Sequence, residues 1–338
     1  MAIRVASPIL DKIVFLLPWD IDPRVDKAKI DKLNTRLQKL IDKGDCEFAH
    51  IKGSRYFVRF RVILPGGHKV LVQLGAFDQS RNKGGLRIEL NPSQMEKGDA
   101  AFFRGILRRV LAINTQRLRE LFVDAVINKL HVAVDVHGID LRRVLVYYQY
   151  AEKLSVICKR LNKAGLIEGY NFGAKGSDYQ AAVYDKKTER IHRAVEALLR
   201  AGRSADESLK ANRVTQFYTA KGVPERMRVE VRGQKLRGMA LHNVGTLSNR
   251  FAWFHFIDLN AEGSDLPPIL EQAFVSMCRD IGAAAALKAF KGSRQVRKIN
   301  AFWRSRQAAW WQPERMWGQV DGLLKATNLF PPEAFVAP

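Results

Sequence analysis

Apolar and polar positions alternate most clearly over residues 55–64, with Tyr56, Val58, Phe60 and Val62 on one face and Arg55, Phe57, Arg59 and Arg61 on the other. A period of two predicts a half-buried strand. Pro65, Gly66 and Gly67 supply a turn, and residues 68–74 return as a second strand. Residues 9–17 and 86–90 read as further strands, the latter closed by Asn91 and Pro92. Between them the period changes. Over residues 23–42, Val25, Ile30, Leu33, Leu37 and Leu40 repeat at helical spacing, and Gly44 ends the run. Residues 102–127 predict mainly helix, 130–137 a strand, and 141–163 helix again. Short strands follow at 170–172 and 179–185, joined by a Gly-rich hairpin turn over 173–176, then a helix at 188–199. Residues 201–225 are polar and read as an insertion; 226–231 is a strand, and beyond about 265 the chain is helical and basic.

Strands interleaved with helices in a β-β-α-β-α-β order predict an α+β fold, with mainly antiparallel sheet covered by helices. Three segments are expected: an N-terminal α+β part over 1–128, a second α+β part over 129–260, and a basic helical region over 261–338. Hydrophobic residues are 47% of the chain, enough for a substantial core. Charge narrows the partners. Lys and Arg number 56 against 34 Asp and Glu, a formal net charge of +22, which points to a polyanion and first to nucleic acid. Cys46, Cys158 and Cys278 are widely spaced and form neither a zinc motif nor a disulfide framework, as fits a reducing cytoplasm. The apolar run at residues 13–17 stops at Pro18, too short for a signal segment or a membrane span, so no membrane partner is expected.

The chemistry-bearing residues sit on the strands. Over 130–137, His131, Ala133, Asp135 and His137 share one face and Val132, Val134 and Val136 the other. Two imidazoles and a carboxylate on one face could hold a divalent ion for phosphoryl transfer; the plain alternative is a solvated polar face. Arg87 with Glu89, and Arg228 with Glu230, each share a strand face, a pattern more often structural than catalytic. Tyr184 ends its strand beside Asp185, Lys186 and Lys187. A phenol of pKa ~10 is a poor nucleophile unless cations favour the phenolate, which Lys186 could supply. Tyr170 and Tyr179 have fewer charged neighbours. The segment 173–177 lacks the spacing of a phosphate-binding loop.

In these patches the chain resembles the trans-acting replication initiators of staphylococcal rolling-circle plasmids, with relatives in filamentous phages and in relaxases of integrative elements. Arg87, Glu89, Asn91 and Pro92 are similar to an R-x-E-x-N-P strand. Lys129, Leu130, His131, Ala133 and Asp135 resemble R-L-D-x-A-x-D. Phe172, Gly173, Ser177 and Asp178 resemble F-G-x-x-x-S-D, followed by Val183, Tyr184, Asp185, Lys186 and Glu189 for I-Y-[ND]-K-x-x-E. Arg228 and Glu230 resemble the R-x-E strand that follows. The matches run in order over roughly residues 85–235, and the 190–227 stretch looks like an insertion.

The resemblance implies the initiator nickase fold, with Tyr184 as nucleophile and Lys186 as its charged helper. Glu89, His131, Asp135 and Glu230 would be ligands of a divalent ion, Mg²⁺ or Mn²⁺. His131 departs from the family's Asp and is a softer ligand than a carboxylate. The implied activity is nicking of one strand of origin DNA, single-stranded or in a hairpin, to leave a 5′-phosphotyrosine and a free 3′-OH for rolling-circle replication of a plasmid or phage. A host helicase and polymerase would be partners, and a homodimer is a further expectation. DNA contacts are expected from Arg87, Arg228, Lys291, Arg294, Arg297, Lys298, Arg304 and Arg306, the C-terminal ones interleaved with Trp303, Trp310 and Trp311 that could stack on bases or pack into a core. The alternatives are a conjugative relaxase of the same family, or an origin- or RNA-binding protein without the chemistry.

Overall fold

The computed structural model describes residues 2–19, 21–77, 85–151, 158–161, 167–174, 176–190, 225–261 and 266–337. The fold is α+β, built on a large sheet in which every strand pair with a described register is antiparallel. The chain divides into two compact units, each assembled from separated stretches. The first is Met1–Pro8, Ala133–Val231 and Asn249–Gly318; the second is Ile9–Val132, Arg232–Ser248 and Gln319–Pro338. These units cut across the three expected segments. The N-terminal third draws in two later stretches, and the basic C-terminal region is shared out.

In the second unit the strands are β2 (Ile9–Leu17), β3 (Cys46–Phe48), β4 (Tyr56–Ile63), β5 (Lys69–Ala76), β6 (Leu86–Leu90), residues 126–132 of β7 (Val126–His137) and β13 (Met239–Ala240), in the order β3-β4-β5-β6-β2-β7 with β13 also paired to β7. The alternation read from the sequence holds on β4: Tyr56, Val58, Phe60 and Val62 are all buried. Helix α1 (Lys27–Asp42) buries Ile30, Leu33, Leu37 and Leu40, while Val25 lies outside it and is exposed. Each of those four side chains contributes about 1.5–3 kcal/mol of burial. The helix read over 102–127 is two helices, α2 (Asp99–Leu111) and α3 (Thr115–Val123). Ala112 takes a left-handed φ of 54°, and the Asn114 side chain then accepts from the Arg117 N–H at 2.8 Å, restarting the helix. Phe15, Phe122 and Phe330 pack ring to ring in this core.

In the first unit the order is β7, β12 (Arg226–Gly233), β11 (Tyr179–Asp185), β10 (Ile167–Phe172) and β9 (Cys158–Leu161), with β1 (Arg4–Val5) also paired to β7. The hairpin expected between 172 and 179 is present, and its turn places Gly173 and Gly176 at φ of 90° and 99°. The helix expected over 141–163 is absent among the described residues. After a short 3-10 turn at Leu141–Arg143 the chain runs as β8 (Val144–Tyr148), paired with β14 (Phe254–Asp258), and residues 158–161 are strand. Val144, Leu145, Val146, Tyr147 and Tyr148 form a short run of mainly β-branched and aromatic residues, which favours a buried strand over a helix. Of the helix expected over 188–199, residues 186–190 are helical and 191–199 lie outside the described residues, as does the insertion up to 224. Helices α4 (Pro268–Ile281), α5 (Ala283–Ala289) and α6 (Val296–Ser305) close the core with Phe274, Cys278, Ala286, Ile299, Phe302 and Trp303. No helix among the described residues is long and apolar enough to cross a membrane.

Candidate functional site

Tyr184 sits on β11 opposite Gly169 of β10, and directly paired residues of antiparallel strands point to the same face. A Cβ at position 169 would lie 2.7 Å from the Tyr184 Cβ and 3.0 Å from the Val183 carbonyl oxygen. Glycine there leaves room for the tyrosine at the close approach of the two strands. Tyr184 is 9% exposed, and the Lys186 ammonium lies 5.4 Å from its ring centroid. Lys186 is itself buried and pairs with Glu189 at 2.9 Å. Asp185 faces the start of the following helix and accepts from the Thr188 hydroxyl at 2.7 Å. The competing tyrosines are placed differently. Burial pushes the Tyr170 phenol up to about 12, far from a reactive phenolate. Tyr179 stacks on the Arg250 guanidinium, 4.0 Å from ring to cation, and Arg250 lies 3.6 Å over Trp253 on its other contact.

Two strands away in the same unit, Asp135 is gripped by arginines. Arg228 donates from Nε to Oδ1 at 2.7 Å and from Nη2 to Oδ2 at 2.9 Å, and Arg226 donates to Oδ2 as well. Both members of the Arg228–Asp135 pair are about 6% exposed. Burial alone would raise the Asp135 pKa, but hydrogen bonds and charge from Arg228 and then Arg226 outweigh it and hold the carboxyl below its ordinary value. Glu230 is buried on β12, on the strand face of Arg226 and Arg228. Arg228, expected at DNA, is committed to this fork.

In the second unit Glu89 shows the same pattern. Lys12 pairs with Oε1, and Arg87 donates to Oε2 at 2.7 Å while also bonding Gln73, its cross-strand partner on β5. Burial opposes ionisation of Glu89, and the Lys12 and Arg87 contacts outweigh it, so its pKa is lowered. His131 is 9% exposed, with its Nε2 3.3 Å from the Gln234 amide nitrogen. Among the described residues no group of three His, Cys, Asp or Glu side chains is placed to hold a metal ion. The oxygens of Asp135 and Glu89 already accept from cations, so in this arrangement the expected ligands do not fit a divalent ion without breaking those pairs.

The C-terminal basic residues divide by exposure. On and before α6, Lys291, Arg294, Arg297, Lys298 and Arg304 are exposed and make no ion pair among the described residues. Arg306 is buried instead. It donates to the Leu259 carbonyl and to Glu271 and covers the Phe302 ring, so it is a packing residue and not a phosphate contact. Trp303 is buried against Tyr147 and Phe274, and Trp310 and Trp311 pack on Phe256. Trp303 is thus a core residue, while Trp310 and Trp311 are half-buried rings packed on Phe256. Sequence reading missed the partners Lys12 and Arg226 and the Arg250 stack. Lys12 and Arg226 had a signal, lying on the predicted strands 9–17 and 226–231, but the partner of each is set by pairing with a strand far away in the chain, as is the Tyr179 contact of Arg250. No protein-family model and no curated protein matches this chain.

Proposed function

We propose that this chain nicks one strand of DNA by transesterification, with Tyr184 as nucleophile, and so starts rolling-circle replication of a mobile replicon. The observation that carries the reading is the setting of Tyr184: a tyrosine given room by Gly169, with the Lys186 cation 5.4 Å from its ring, in a chain of net charge +22. The phenol oxygen attacks a backbone phosphorus as its proton leaves. The bond from phosphorus to the 3′ oxygen breaks, and that oxygen takes up a proton to become a free 3′-OH. The 5′ phosphate stays on the tyrosine, so the reverse attack rejoins the strand without an external energy source. Lys186, shared with Glu189, favours the phenolate and opposes the charge building on phosphorus. Asp135 and Glu89 are taken by arginine and lysine, so the charge at the reacting phosphorus is met by Lys186. A cytoplasmic location, a host helicase and polymerase, and self-association go with this reading.

The test is recovery of covalent adducts under denaturing conditions from a random single-stranded oligonucleotide pool, run with Mg²⁺, with Mn²⁺ and with chelator. Adducts with the wild type and none with Tyr184→Phe are expected. Absence of wild-type adduct under all three conditions, or adduct persisting in Tyr184→Phe, refutes the assignment. Adduct formed only with an added ion would put metal chemistry back at the site. A second reading, a nucleic-acid-binding protein without the nicking reaction, draws its support from the saturated carboxylates. A conjugative relaxase would give the same adduct and is separated from an initiator by whether nicking starts replication or transfer.

A further inference from the structure

The second unit contains a cleft of about 950 Å³ lined by Leu71 and Gln73 of β5, Arg87 and Glu89 of β6, residues 51–56, residues 128–129 of β7 and Arg237. Four cations line it, Arg55, Arg87, Lys129 and Arg237, against one carboxylate, Glu89. That carboxylate is already neutralised twice, by Arg87 inside the cleft and by Lys12. Lys129 and Arg55 make no ion pair among the described residues. Lys129 is half-buried, and its pKa is lowered first by burial and then by the charges of Arg87 and Lys12, with Glu89 only partly offsetting them. An ammonium held beside two further cations, with one shared carboxylate between them, is a site short of negative charge. Arg237 adds a second sign. It is one of three non-glycine residues described with positive φ, at 56°, and is followed by Gly238 at 76°. Backbone held in that left-handed region is uncommon for a residue with a side chain and often marks a functional surface.

We infer that this cleft binds phosphoryl groups, and that their source is the backbone of a single-stranded nucleic acid. The cations come from four separate stretches of chain that line one cleft. The volume lies at the large end of small-ligand sites, ~300–1,000 Å³, with room for more than one nucleotide. Arg87 and Gln73, locked to each other across β5 and β6, fix the floor, and Lys129 and Arg55 are left to meet the ligand. A phosphate would take the place of the missing carboxylates and relieve the repulsion at Lys129. The inference does not depend on Tyr184 and stands if the nicking reaction fails.

The test is fluorescence anisotropy of the full chain with a labelled 20-nucleotide oligo-dT, titrated with NaCl and competed by ATP and by inorganic phosphate. Lys129→Gln and Arg55→Gln should each weaken binding by roughly tenfold, and each should reduce the salt slope by about 0.7, the value for one phosphate contact on a single strand. Arg55 is exposed, so its variant separates a lost contact from a folding defect at half-buried Lys129. Competition by micromolar ATP, lost in the same two variants, would support phosphoryl recognition but name a nucleotide as its source. Unchanged oligonucleotide and ATP affinity in both cleft variants would overturn the inference, as would a loss confined to a control Arg297→Gln, Lys298→Gln double variant on α6.

Discussion

Asp135→Ala separates two roles for the same carboxylate. In the structure it is the counter-charge of Arg228, both side chains being about 6% exposed, and of the more exposed Arg226. Deleting it takes the Asp135 counter-charge away from a buried guanidinium in the first unit, and breaking a buried pair on one side costs about 3–5 kcal/mol. For a unit of this size, at roughly 2–4 °C per kcal/mol, the melting midpoint should fall by about 6–20 °C. Five of the six tryptophans, Trp253, Trp303, Trp310, Trp311 and Trp317, belong to that unit, so tryptophan fluorescence reports its unfolding. The double variant Asp135→Leu, Arg228→Met removes both charges and should recover most of the loss, because an apolar replacement of a buried pair is commonly neutral or better. The deficit also has a pH signature. The folded carboxyl sits below its ordinary 3.8, so the pair's contribution is complete well above that value and is lost as pH falls through the folded pKa. The gap between wild type and Asp135→Ala should therefore be full at neutral pH and shrink on acidification below about pH 4. A melting midpoint within 1–2 °C of wild type at neutral pH, on a scale of roughly 2–4 °C per kcal/mol, would refute the ion-pair role. Asp135 would then be free to act as a ligand.

Two further substitutions probe the surroundings. Gly169→Ala places a methyl 2.7 Å from the Tyr184 Cβ and should cost about 1–3 kcal/mol in the same melt while lowering adduct yield; an unperturbed melt would show that β10 does not crowd the tyrosine. Trp303→Ala should cost about 3–5 kcal/mol as a core truncation, whereas a ring used for base stacking would lose oligonucleotide affinity with the melt unchanged.

The strands near the candidate site were legible because their side chains obey a local period. Residues 9–17, 86–90 and 179–185 match β2, β6 and β11, and the β4 alternation maps directly onto burial. The reading failed at 144–148 because five apolar residues carry no period that distinguishes a buried strand from a helical turn. Their partner β14 lies more than a hundred residues away. Polarity on 130–137 was legible, but its meaning was not. Alternation placed His131 and Asp135 on one face and suggested that this face is open, whereas both are buried, as are Val132, Val134 and Val136 on the other. A central strand covered on both sides hides its polar residues, and what they bond is set by neighbours distant in sequence.

That difference bears on how an R-x-E or D-bearing strand is read in a basic chain. A metal site needs two or three anionic or imidazole ligands to converge without being neutralised first. Here cations outnumber carboxylates by 56 to 34, and two of the acidic residues on the strands are caught by arginine or lysine: Asp135 by Arg226 and Arg228 of the adjacent strand, Glu89 by Lys12 of the adjacent strand and Arg87 of its own. Each capture offsets the cost of burying a charge, which an unoccupied ligand set would have to bear alone. Spacing within a strand is therefore weak evidence for coordination in such a composition, because the same spacing is satisfied by pairing. The excess positive charge must in turn find anions from outside. In the second unit Lys129 and Arg55 are such a place: neither makes an ion pair among the described residues, and Glu89, shared with Lys12 and Arg87, offsets only part of the charge at Lys129.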